Sequence, residues 1–195
     1  MFPPSEHLHW MYAAAFLMLG LCLLAQGIVG DEVWNRRAVR RYLFPGFAFL
    51  MGLLLWPAIV FPRPGSTILM LSHSVWAQTI TLAGAAQLGL ARGKLRSRYW
   101  RLTIPLAFVA SGAAFLAHER NAWLYSRSAF VHHVCGWTLI VGALVPLVQI
   151  FRPRSSSLTA VFALTLIVLS VALFSSRDRA PIFGHLSPAE GRPHR

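Results

Sequence analysis

The sequence predicts an all-α polytopic membrane protein: a bundle of six transmembrane helices with both termini on the outer side. Three observations predict it. Of the 195 residues, 56% are hydrophobic and only 12% charged, about half the share of roughly 25% that a soluble domain carries. Six uncharged stretches approach or exceed the length of about 20 residues that a spanning helix needs. The basic residues fall in short blocks on alternate loops between those stretches, as topology signals do.

The first span covers 10–29 (WMYAAAFLMLGLCLLAQGIV). The residues before it, MFPPSEHLHW, contain no Lys or Arg. A secretory leader starts with a positive region, so this first span is expected to be retained. The second covers 43–61 and carries Pro45 and Pro57; the third covers 68–91; the fourth, 102–118, is the shortest. The fifth covers 129–151 and the sixth 158–175. Backbone groups in lipid must pair internally, and these stretches exceed the length of barrel strands, so all six are expected to be helices. They form one transmembrane domain over 1–176. The remainder, 177–195, is rich in Pro, Gly and charge and is expected to be disordered.

Orientation follows from the loops. RRAVRR (36–41), RGKLRSRYWR (92–101) and RPR (152–154) hold eleven of the 18 basic residues, all on one side. The opposite loops hold Arg63, Arg120 and Arg127. The positive-inside rule puts the basic loops in the cytoplasm of a plasma or inner membrane, and the N- and C-termini outside. The net charge of +12 therefore reads as topology and excludes a nucleic-acid partner. Cys22 and Cys135 sit in different spans with no CxxC spacing, so no disulfide or zinc knuckle follows. No phosphate-binding loop, nucleophile elbow, HExxH or dinucleotide fingerprint is present.

The histidines carry the functional signal. His7 and His9 precede the first span, His73 opens the third, His118 ends the fourth, His132 and His133 open the fifth, and His185 and His194 lie in the tail. All fall on the outer side. The terminal ones are cheap in water and carry little weight as ligands. His73 shares a helical face with Ala77, Gly84 and Gln87, and His118 one with Ala114, Ser111 and Ala107. Small faces of this kind meet other helices, and ionisable groups inside a membrane bundle mark functional sites. His132 and His133 point about 100° apart, so one is expected to be a ligand and the other its neighbour.

Neutral imidazole binds copper, zinc and haem iron. The candidate metal ligands are His73, His118, His132 and His133, with Glu119 beside His118 and the thioether of Met70 one turn before His73. A single outer b-type haem would take His73 with His132 or His133. A second haem has no histidines at the cytoplasmic end. Two alternatives stay open: a zinc-dependent membrane hydrolase with Glu119 as base, and a scaffold or assembly protein whose histidines only hydrogen-bond between helices. Partners are the lipid bilayer and, through the small-residue faces, a second copy or another membrane protein.

The stretches HSVWAQTITLAGAAQLGL (73–90), FLAH (115–118) and VHHVCGWTLIVGAL (131–144) resemble the transmembrane protein 45 family in histidine placement over roughly 68–150. That resemblance implies a multi-pass fold. PLAFVASGAAF lacks the intramembrane glutamate that such a resemblance implies before the helix-ending histidine. A looser likeness to the six-helix b-type cytochromes rests on His73 with His132 or His133; their other histidine pair has no counterpart here.

Overall fold

The computed structural model describes residues 5–60, 67–118, 127–152 and 155–177, with the side chains of 5, 38, 57–60, 67–73 and 118 outside that description. The described residues form helices and no strand: α1 (Ser5–Val29), α2 (Asp31–Asn35), α3 (Ala38–Val60), α4 (Thr67–Ala91), a 3₁₀ turn (Arg98–Leu102), α5 (Thr103–His118), α6 (Arg127–Gly142), α7 (Leu144–Phe151) and α8 (Ser156–Phe174).

Local chemistry sets the boundaries. Gly30 joins α1 to α2 with φ 82°, a left-handed conformation that costs a Cβ-bearing residue more than glycine. The Ser155 hydroxyl accepts from the Leu158 N–H and caps α8. The fifth expected span is two helices broken at Ala143. Pro146, the third residue of α7, has no N–H to donate to the Gly142 carbonyl, so the α-helical ladder lapses there. Two helices begin five residues earlier than the apolar runs suggest: α1 at Ser5 and α3 at Ala38. The first extension puts His7 and His9 on a helix, and the second does the same for Arg40 and Arg41.

The long helices close into a ring. α3 packs on α4, α4 on α5, α5 on α6, α6 on α8 and α8 on α1. α1 meets α3 again, where the buried Tyr12 hydroxyl donates to the Met51 carbonyl at 2.9 Å. Lipid supplies no hydrophobic drive between helices, so close packing of small residues carries the association. A Cβ on Gly84 would lie 2.5 Å from Cα of Phe49 on α3, and one on Gly112 of α5 would lie 2.6 Å from the Gly136 carbonyl of α6. The helices cross there backbone to backbone.

The outer surface is apolar. Leu21, Leu54, Leu82, Leu106, Val141 and Val171, one on each ring helix, are each more than half exposed. Glu6–Val29, Val39–Trp56, Arg98–Ala117, Arg127–Phe151 and Ser156–Phe174 are long and apolar enough to cross a membrane. The 25-residue α4, which carries two glutamines, two serines and a histidine, is long enough but is not among these spans.

Candidate functional site

Three features lie along the axis of the ring. At the end formed by the start of α1 and the start of α6, His132 is 4% exposed. Its ring meets that of His9 with centroids 5.6 Å apart, and that of Phe115 at 5.3 Å. The Ser128 hydroxyl, one turn back, lies 3.4 Å from His132 Nδ1. Behind them Phe115 packs edge-on against Trp76 at 4.9 Å, and Trp76 against Tyr12 at 5.4 Å. An aromatic layer thus backs the imidazoles.

His133 turns away from that pair. It is half-buried, and its Nδ1 lies 2.8 Å from the Ala129 carbonyl. A carbonyl only accepts, so Nδ1 carries the hydrogen and a neutral ring keeps its lone pair on Nε2. His132 is therefore the inward member of the pair. The start of α1 is held by the end of α8: Trp10 Nε1 donates to the Ser176 carbonyl at 3.2 Å, and the Arg177 guanidinium sits 5.4 Å from the Trp10 ring centre.

Of the expected ligands, His132 and His133 lie among the described residues. The side chains of Met70, His73 and His118, and the whole of Glu119, lie outside them. Among the described residues no group of three His, Cys, Asp or Glu side chains converges. Cys135 is fully buried and unbridged. His9 was undervalued in the sequence because it precedes the apolar run. Its signal was phase: His9 lies three and four residues before Tyr12 and Ala13, which are 2% and 0% exposed, so it continues their inward stripe.

Midway along the axis is an apolar cavity of about 50 Å³, to which α1, α3, α4, α5, α6 and α8 all contribute. Ser111 lines it, and its hydroxyl is buried with no hydrogen-bond partner among the described residues. At the opposite end from the histidines, a larger cavity of about 420 Å³ includes Arg40, Arg41, Arg101, Gln26, Gln87 and Gln149 in its wall. Arg40 and Arg41 of the first basic block and Arg101 of the second thus line one recess.

Compared with protein families, curated proteins and solved structures, the chain matches none.

Proposed function

We propose that this chain is a six-crossing membrane protein whose histidine end holds one transition-metal ion, copper or zinc, with His9 and His132 as ligands. In this reading α4 is the sixth crossing, because it packs between α3 and α5. The histidine end faces outward and the arginine end faces the cytoplasm, by the loop charges.

The observation that carries the reading is the ring pair, one member buried in an apolar span. With metal–nitrogen bonds near ~2.0 Å, two imidazoles on one ion place their ring centres ~5.1 Å apart in a tetrahedral arrangement and ~6.3 Å apart in a linear one. The observed 5.6 Å lies between those limits. A b-type haem fits less well. Its axial imidazoles need the longer spacing and a porphyrin plane between them, so α1 and α6 would have to part. Two protein ligands leave positions open to water or to a transferring ligand, which suits metal handling better than a closed structural site. A zinc hydrolase would need a third ligand and a base, and the described residues provide neither.

A second reading, the non-catalytic scaffold, draws on Ser128 beside His132 and on the His133 contact to Ala129. Elemental analysis of protein purified in detergent separates the two. The metal reading expects about one equivalent of copper or zinc, lost in His9→Ala and His132→Ala and kept in His133→Ala. A Soret band in the visible spectrum would move the reading to haem. Metal-free protein that stays metal-free after incubation with copper or zinc would leave the scaffold.

A further inference from the structure

We infer that the cavity at the arginine end is a binding site for a single-chain anionic amphiphile: a phosphate or carboxylate head carried on one long hydrocarbon chain. The metal reading of the opposite end plays no part in this inference.

The head-group chemistry comes from the mouth. Three arginines, Arg40, Arg41 and Arg101, line the cavity, and none of its lining residues is acidic. On α2, the Asp31 carboxylate accepts from Gln26 Nε2 at 2.6 Å. Arg40 is braced over Trp34, with Cζ 5.0 Å from the ring centre, and Arg41 reaches the Tyr42 hydroxyl at 2.9 Å. Guanidinium groups match phosphate and carboxylate oxygens in pairs and stay charged at every physiological pH.

Glutamines hold the wall open. Gln87 Nε2 donates to the Thr103 hydroxyl at 3.1 Å, tying α4 to α5, and Gln149 Nε2 reaches the Thr159 hydroxyl at 3.5 Å, tying α7 to α8. Each spends its N–H on a neighbouring helix. The break at Pro146 helps shape the recess, because Pro146 itself and Gln149 on α7 both line it.

The tail chemistry comes from depth. Below the arginines the wall turns apolar at Phe44, Ile104 and Phe162. Phe44 and Ile104 also line the 50 Å³ inner cavity, so the two spaces share a wall. Phe162 stacks between Phe44 at 5.9 Å and Phe108 at 5.5 Å, forming an aromatic collar at the junction. The outer volume of about 420 Å³ falls in the range of roughly 300–1,000 Å³ typical of small-ligand sites. The inner one, at about 50 Å³, has room for only the end of one chain. A soluble anion would use the mouth and leave the collar and chamber unexplained. A neutral lipid would leave three arginines without a counter-charge. An anionic amphiphile uses both, and with the arginine end at the cytoplasmic leaflet, as in the proposed orientation on which this source rests, anionic lipid gathered by basic residues supplies such molecules.

The test titrates the purified full chain, in neutral maltoside detergent, with three probes: hexadecyl phosphate, inorganic phosphate and hexadecanol. Intrinsic fluorescence reads binding, since Trp34 lines the mouth and Trp76 the inner chamber. Hexadecyl phosphate is expected to saturate. Hexadecanol, which carries the same chain without the charge, and inorganic phosphate are each expected to bind at least about tenfold more weakly once micelle partitioning of each probe is measured and subtracted. Arg41→Gln with Arg101→Gln, both exposed positions, should weaken hexadecyl phosphate by about tenfold or more. Ile104→Trp should block the chain while leaving the mouth intact. Inorganic phosphate binding as tightly as hexadecyl phosphate would overturn the proposal in favour of a free-anion site. Hexadecanol binding as tightly, or an unchanged affinity in the double arginine variant, would overturn it in favour of generic apolar uptake. Should Ile104→Trp fail to fold, Phe162→Ala, which opens the collar, must change the affinity for hexadecyl phosphate and not for inorganic phosphate.

Discussion

Replacing Gly84 by alanine tests whether the ring is held by backbone contact. The added Cβ would lie 2.5 Å from Phe49 Cα and 2.9 Å from the Ala48 carbonyl carbon, both rigid backbone atoms of α3. Carbon atoms prefer about 3.5–4.0 Å, so α3 and α4 would have to part by roughly 1 Å. Overpacking of this kind costs about 1–3 kcal/mol. Alanine's better helix propensity offsets at most about 1 kcal/mol of that. The net change against the parent is a loss of up to about 2 kcal/mol, and against a Gly→Ala change made in open space a loss of about 1–3 kcal/mol. Gly46→Ala on α3 is the matched control: nothing lies within 4 Å of the added carbon, so the same change there is expected to be neutral or slightly stabilising. Unfolding by anionic detergent in mixed micelles, followed by circular dichroism, compares both variants with the parent. A Gly84→Ala protein as stable as Gly46→Ala would refute the backbone-to-backbone crossing.

Other outcomes follow from single contacts. Ser111→Ala removes a buried hydroxyl that has no partner among the described residues and should leave thermal stability unchanged or raise it, since an unmatched polar group costs about 1–3 kcal/mol; a clear drop would show that the hydroxyl is bonded. Tyr12→Phe loses the donation to the Met51 carbonyl that closes α1 on α3, with an expected cost of about 1 kcal/mol in the same unfolding assay. His132→Ala should lower stability more than His133→Ala, because the first ring is buried against Phe115 and His9 while the second is half-buried; equal effects would contradict the inward assignment of His132.

Much of this arrangement is legible in the sequence, for physical reasons that differ by element. The centres of the spans follow from apolar runs, because lipid demands them. Their ends do not. Helix formation continues past the apolar region at Arg40 and Arg41, whose long side chains tolerate an interfacial turn, and hydropathy is blind to that extension. The break before α7 was available in Pro146 but is invisible to a window average. His132 and His133 were marked by their cost in an apolar run; which one turns inward depended on packing against α1 and α5. His9 escaped because it precedes the apolar run, where a histidine is cheap in water. The arginine cavity escaped for another reason. Charge blocks report topology whether they face water or line a recess, and only the ring closure brings Arg40, Arg41 and Arg101 to one mouth.

The proposed orientation places the arginine end in the cytoplasm and the histidine end outside. The direct measurement is thiol labelling of intact cells in a background with Cys22→Ala and Cys135→Ala. Ser97→Cys reports the arginine end and Arg127→Cys the histidine end; both parent residues are exposed. A membrane-impermeant reagent is expected to label Arg127→Cys and to reach Ser97→Cys only after the membrane is opened. Labelling of Ser97→Cys in intact cells, or protection of Arg127→Cys, would contradict it.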